Sequence, residues 1–249
     1  MKLAVCGCSF SAHDPRAPGT EYGSIIADHF GWDYVNLARP SASNHIIRLQ
    51  IDEAVQQGAD WVIVNWTNSE RLEWNYTNKQ YKPRTGIKHV TYWDADHLTD
   101  AQCHPRADHD PVITSDSINN IFHRGRLEQF EDLSVKNGFR DITHWFTPER
   151  YEAVRHVYLH LWDDQLAQEK DSFLAESACW TLERAGINYL TGFMPHADIP
   201  EDCLLPSTPQ EWYDKYNPHT DQYVYHITVD QQRQYAREII EHIATKKPR

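Results

Sequence analysis

The sequence predicts an α/β fold: a parallel β-sheet with helices on both faces and an irregular insertion. Residues 1–66 alternate three short apolar runs with two segments of helical apolar spacing, a β-α-β-α-β order that needs crossover connections between parallel strands. A fourth apolar run, INYLTGF at 187–193, follows a long helical pattern and extends the same alternation. The chain has 249 residues, 40% hydrophobic and 24% charged, which suffices for one sizeable, well-buried domain.

Taken in order, KLAVCGCSF at 2–10 is too apolar for a half-exposed strand and reads as a buried one. EYGSIIADHFG at 21–31 spaces Tyr22, Ile25, Ile26 and Phe30 on one helical face and stops at Gly31. DYVNLA at 33–38 is a short strand. The turn Pro40–Asn44 caps a helix over 44–57 whose apolar face is Ile46, Ile47, Leu49, Ile51 and Val55, with Gly58 as its stop. WVIVNW at 61–66 is the third strand.

Residues 67–125 break this rhythm with a polar, aromatic, His-rich tract that holds Tyr76, Tyr81, Tyr92, Trp93, His89, His97, His104 and His109. Loops of such length in compact domains are usually functional. The expected organisation is therefore one domain over 1–249 with an insertion at about 72–125. Helical patterns resume at 117–137 and from Pro148 to Ala185, the latter as one helix or two with a break. Residues 194–220 are Pro-rich and irregular. The segment 229–244 is an amphipathic helix with Tyr235, Ile239, Ile240 and Ile243 on one face.

The net charge of −12 disfavours non-specific binding to nucleic acid or to anionic membranes. No run approaches the length of a membrane span, and the N-terminal run reads as strand one rather than as a signal peptide. A cytoplasmic location is expected, and the odd set of five cysteines, without zinc-ribbon spacing, reads as free thiols in a reducing compartment. Cys103, His104, Asp108, His109 and Asp110 are metal-ligand types without a compact pattern such as His-Glu-x-x-His, so no metal is expected. No Gly-rich phosphate loop is present and no cofactor is expected.

In open parallel sheets, sites form beyond the carboxyl ends of the strands. Three such ends are unusually polar here: Gly7-Cys8-Ser9-Phe10-Ser11, the stretch Asn36 to Asn44, and Asn65 to Arg71. In addition, His226 precedes the final helix. A serine hydroxyl becomes a competent nucleophile when a base takes its proton, and histidine is the base tuned to neutral pH. The tetrahedral intermediate then needs hydrogen-bond donors aimed at its oxyanion. The backbone N–H of Ser9, that of residue 41 and the Asn68 amide are candidates. Asp221 is the nearest acid upstream of His226, with Asp214 next.

These blocks resemble, in order, the four blocks of the SGNH (GDSL-like) hydrolase superfamily. Gly7-Cys8-Ser9 matches the Gly-Asp-Ser nucleophile block with Cys8 in place of Asp. Ser41 stands at the glycine of the second block, Trp66-Thr67-Asn68-Ser69 matches Gly-x-Asn-Asp at Asn68, and His226 matches the His of Asp-x-x-His, with Tyr223 at the Asp position. The match covers roughly 1–71 and 221–245. It implies a three-layer α/β/α, flavodoxin-like domain of SGNH type. It also implies an ester hydrolase with Ser9 as nucleophile and His226 as base; Asp221, the nearest upstream acid, is the candidate to orient His226, with a backbone carbonyl as the alternative. Ser9, Ser41 and Asn68 would form the oxyanion hole, and Asn44, Arg71 and Trp66 would contact substrate.

Aromatic residues make up 12% of the chain, including nine Trp and thirteen Tyr, and such rings stack on sugars. A carbohydrate O-acetyl ester is therefore the expected substrate class. The GCSF form of the first block and the Asn-Leu-Ala…Ala-Ser-Asn turn look like uncharacterised members carried by tailed bacteriophages, which would place the protein in the host cytoplasm or on the virion. The departures at Ser41, Trp66 and Tyr223 fit a rival reading, a non-catalytic member of the fold that binds a glycan or a partner chain.

Overall fold

The computed structural model describes residues 1–13, 18–39, 42–69, 73–75, 112–114, 153, 156–208, 211 and 228–246. The chain forms two compact units, Met1–Thr67 with Gln168–Arg249, and Asn68–Ala167.

The first unit contains a four-stranded, all-parallel sheet in the order β2-β1-β3-β6. Its strands are β1 (Lys2–Cys6), β2 (Asp33–Asn36), β3 (Trp61–Val64) and β6 (Asn188–Thr191). The helices are α1 (Tyr22–Phe30), α2 (Asn44–Gln56), α3 (Asp164–Arg184, whose first turn belongs to the second unit) and α4 (Val229–Thr245). The chain runs β1-α1-β2 to one side of β1 and then returns through α2 to β3 on the other. With right-handed crossovers, that reversal puts α1 and α2 on opposite faces.

The burial pattern agrees. Leu3, Val5, Trp61, Ile63 and Leu190 share a core with Tyr22, Ile26 and Ala27 of α1 and with Tyr235, Ala236, Ile239 and Ile243 of α4. The alternate residues Ala4, Cys6, Val62 and Val64 are also fully buried, on the face that α2 covers. There Arg48 ties α2 to α3, donating to Ser177 Oγ (3.0 Å) and Thr181 Oγ1 (2.7 Å). Both faces of the sheet are covered, which is why its strands read as continuous apolar runs instead of alternating.

Helix boundaries have local causes. Gly31 adopts φ 66° and closes α1 by donating to the carbonyls of its last turn, a left-handed position that suits glycine. Ser43 caps α2 through its side chain, and Thr228 with Gln231 forms a reciprocal capping box on α4. Strand β1 stops at Cys6, earlier than the apolar run suggests, because the Cys8 carbonyl takes Ser11 N and Ala12 N (3.0 Å each) and turns the chain.

In the second unit, β4 (Glu73–Asn75) and β5 (Val112–Thr114) pair antiparallel, with Trp74 opposite Ile113. This pairing lies within the tract expected to be irregular; three-residue strands carry too little period to be seen in sequence. The helical pattern before α3 breaks between Leu161 and Asp163, and the Asp163 carboxylate accepts from Leu166 N (2.9 Å) to start α3. The helical pattern at 117–137 lies outside the described residues.

Candidate active site

Strand β1 lies between β2 and β3, where successive connections leave in opposite directions. In open parallel sheets the crevice at the carboxyl end of such a switch point is the usual ligand position. The turn that follows β1 occupies this place and carries Ser9.

Gly7 opens the turn under tight constraint. Its N–H donates to Gln50 Oε1 (2.7 Å), and its carbonyl accepts from Gln50 Nε2 (3.3 Å) and Arg39 N (3.1 Å). A Cβ at this position would lie 2.7 Å from Ser11 Oγ and 2.9 Å from Ser11 Cβ, so no larger residue fits without displacing its neighbour. Gln50 is fully buried on a helix face expected to be apolar; it is there because Gly7 has left the ladder and its backbone groups still need partners. Ser9 follows with 8% of its surface exposed.

Beneath the turn is a closed polar cluster. Tyr22 Oη donates to Ser11 Oγ (2.9 Å), and Asn65 Nδ2 donates to both Tyr22 Oη (2.6 Å) and Ser11 Oγ (3.2 Å). Asn36 Nδ2 donates to the Ser11 carbonyl (2.9 Å), and Tyr235 Oη donates to the Ser207 carbonyl (3.2 Å) and toward Asn65 Oδ1 (3.4 Å). The ends of β1, β2 and β3 and the helices α1 and α4 therefore meet around Ser11. Burial pushes the Tyr22 phenol well above its ordinary range despite its hydrogen bonds with Ser11 and Asn65, so it stays a neutral donor and acceptor.

The loop after β3 is clamped by Asn44 at the start of α2. Asn44 Oδ1 accepts from Thr67 N, and Asn44 Nδ2 donates to the Thr67 carbonyl (2.8 Å each), in the manner of a paired strand. The same amide nitrogen donates to Asp171 Oδ2 (2.7 Å), a buried carboxylate on α3. Trp66 is half-buried, and its indole N–H donates to Thr191 Oγ1 (2.7 Å). Asn68 is exposed and opens the second unit.

One acid–histidine pair stands on the loop between β1 and α1. His13 Nδ1 lies 3.4 Å from Glu21 Oε1; the Glu21 side chain is 8% exposed and that of His13 48%. The second Glu21 oxygen, Oε2, is buried with no hydrogen-bond partner among the described residues. Tyr34 on β2 feels this carboxylate: burial first, and then the Glu21 charge, hold its phenol well above the ordinary range.

Of the residues expected from sequence to form the site, Ser9, Asn44, Trp66 and Asn68 are placed as described above. Ser41, Arg71, Asp214, Asp221 and His226 lie outside the described residues, as do Cys103, His104, Asp108, His109 and Asp110. Among the described residues, no group of three or more His, Cys, Asp or Glu is arranged to hold a metal ion, and no helix is long and apolar enough to cross a membrane. Cys6, Cys8, Cys179 and Cys203 are buried thiols; desolvation pushes Cys179 up to about 11 and Cys6 higher still.

Sequence reasoning did not single out Tyr22, Gln50, Tyr235, His13 or Glu21. Tyr22 and Tyr235 read as core by their helical spacing, and Gln50 carried no local signal. His13 and Glu21 were legible only as a histidine and an acid in the loop that follows Ser9.

No family model and no curated protein matches the chain. Among solved structures, the chain is similar to a protein from Desulfitobacterium hafniense DCB-2 described as a "putative lipolytic protein of G-D-S-L family". The match has 9% identity and a TM-score of 0.35, and it covers 97% of this chain and 98% of that one.

Proposed function

We infer that the protein is a serine ester hydrolase whose nucleophile is Ser9. The supporting observation is the position of Ser9: on a rigid turn at the carboxyl end of β1, at the switch point of a parallel sheet, above the buried cluster of Ser11, Tyr22 and Asn65. A nucleophile on a pre-organised turn needs little reorganisation as charge develops. In this reading Ser9 Oγ attacks the ester carbonyl and a histidine takes its proton; the sequence resemblance gives that role to His226, and Asp221 is the nearest upstream acid to orient it. The sequence blocks assign the oxyanion to the backbone N–H groups of Ser9 and Ser41 and the Asn68 amide, and substrate contact to Asn44, Arg71 and Trp66. The acyl-enzyme is then released by water, with no cofactor in the scheme. The aromatic content favours an O-acetylated carbohydrate as substrate, and the phage affinity rests on the sequence blocks alone.

A second reading has a specific observation behind it. All hydrogen-bonding groups of the Asn44 side chain are engaged within the protein, and Ser9 is nearly buried, as in a non-catalytic member of the fold that binds a glycan or partner. One experiment separates the two. A fluorophosphonate probe should add once to the wild-type protein, read by intact mass, and not to Ser9→Ala. The absence of any adduct on correctly folded wild-type protein would sink the esterase reading and leave the binding one.

A further inference from the structure

Among the described residues, the side chains of His13 and Glu21 hydrogen-bond only to each other. A carboxylate buried to this depth is costly unless its oxygens are satisfied, yet among the described residues Glu21 Oε2 has no hydrogen-bond partner and Oε1 has one long contact, to His13. Glu21 also stands at the N-cap of α1 without capping it through its side chain; the helix is held instead by Gln232 of α4, whose Oε1 accepts from Tyr22 N (2.9 Å). Among the described residues, the partner of this acidic side chain is the imidazole of a half-exposed histidine. A sealed acid behind a partly exposed histidine is the arrangement that orients a general base: Nδ1 is committed to the carboxylate, and Nε2 remains for a reacting proton.

The position on the chain supplies the second half of the argument. His13 follows Ser9 by four residues. Fully extended, that length would span at most about 14 Å. The chain is not extended there, because the Cys8 carbonyl gathers Ser11 N and Ala12 N and folds it back between the two residues. Ser11, midway, is pinned by Tyr22, Asn65 and Asn36, which anchors the chain two residues before His13.

We propose that His13, oriented by Glu21, is the general base that serves Ser9, the role that the sequence resemblance gives to His226. The proposal rests on the serine-hydrolase reading and reassigns one residue within it. As the Ser9 Oγ–carbon bond forms, the hydroxyl proton passes to His13 Nε2 and the carbonyl π pair moves to oxygen. On collapse, the carbon–alkoxide bond breaks and the leaving alcohol takes that proton back. Water then repeats the cycle on the acyl-enzyme and returns free Ser9 and the acid. His13 is the catalytic residue of this pair and Glu21 its positioning residue.

The test is the rate of Ser9 modification by a fluorophosphonate, in which the Oγ–phosphorus bond forms, fluoride leaves and the proton departs through the base. The full chain is compared with His13→Ala, His13→Gln, Glu21→Gln, His226→Ala and, as a control on α1 away from the turn, His29→Gln, each checked for folding by circular dichroism. His13→Ala and His13→Gln should lose roughly a hundredfold or more in kinact with little change in KI, the span typical of removing a general base. Free imidazole should restore part of the His13→Ala rate, which no packing role predicts. Glu21→Gln should lower kinact at least tenfold, again without moving KI. If wild-type protein labels at Ser9 and folded His13→Gln labels at the same rate, or if the loss is confined to His226→Ala, the assignment to His13 is overturned and the hydrolase reading stands. If wild-type protein does not label at all, the hydrolase reading fails and the assignment with it.

Discussion

Replacing Gly7 with alanine tests the packing that holds the Ser9 turn. The new methyl would meet Ser11 Oγ at 2.7 Å, Ser11 Cβ at 2.9 Å and the Asn65 carbonyl at 3.2 Å. The first two lie below any relaxed carbon contact, so Ser11 has to move, and it is anchored by Tyr22 Oη and Asn65 Nδ2. Overpacking of this kind costs about 1–3 kcal/mol, and weakening the bonds at Ser11 adds roughly 1 kcal/mol. The reduced freedom of the unfolded chain returns about 0.4–1 kcal/mol. The net expectation is a loss of about 2–3 kcal/mol, or a fall in Tm of roughly 5–10 °C at this chain length.

The assay is thermal unfolding by far-ultraviolet circular dichroism, repeated in a Ser11→Gly background. Removing the Ser11 side chain deletes both close contacts, so the penalty of the alanine should drop below about 1 kcal/mol there. Gly31→Ala is the contrast: nothing lies within 4 Å of the added carbon, but φ is +66°, so about 1 kcal/mol is lost to backbone strain with no dependence on Ser11. A Gly7→Ala protein as stable as wild type, or a penalty unchanged by Ser11→Gly, would refute the reasoning.

Asn44→Ala removes three hydrogen bonds, two of them to the Thr67 backbone, and should cost about 2–4 kcal/mol in urea unfolding. Asn44→Asp should be worse than alanine at neutral pH, because it sets a second carboxylate against Asp171; the reverse order would count against the clamp. Tyr22→Phe strips the Asn65 amide of its shortest partner and should cost about 1–3 kcal/mol while slowing Ser9 labelling, read by Tm and by probe kinetics on the same sample. His242 has its pKa lowered, first by desolvation and then by Lys246, so the native state favours the neutral ring. Its contribution to stability is present above the unfolded-state value, near 6.5, and is lost as the pH falls below it; His242→Gln should flatten the decline of Tm between about pH 7 and pH 5, and an unaltered profile would show that other groups govern it.

Much of the architecture is visible in the residues because its causes are local. The apolar runs at β1 and β3, the spacing of Tyr22 and Ile26 on α1 and of Tyr235 and Ile239 on α4, and the stops at Gly31 and Gly58 all act within a few residues of chain. The handedness of crossovers then turns that order into a parallel sheet with two covered faces. The Ser9 turn was legible as well, because a polar Gly-x-Ser ending a buried strand has no core role.

What encloses that turn was not legible. Asn44 reads as a helix N-cap in sequence, yet Ser43 does the capping and Asn44 pairs with Thr67 and with Asp171, 127 positions away. Gln50 sits on a helix face that sequence treats as apolar because Gly7 needs a partner 43 positions back, and Tyr22 N finds its acceptor on Gln232, 210 positions on. The end of β1 at Cys6, the pairing of β4 with β5 and the facing of His13 to Glu21 belong to the same class. The sequence by itself determined which segments form the strands and helices around the parallel sheet and which strand end carries the proposed nucleophile, since periodicity and turn chemistry are properties of neighbours. Only the tertiary structure decided which polar side chain satisfies which distant backbone group, because that choice is made by desolvation in the packed state, where each buried donor and acceptor takes the partner the fold brings within reach.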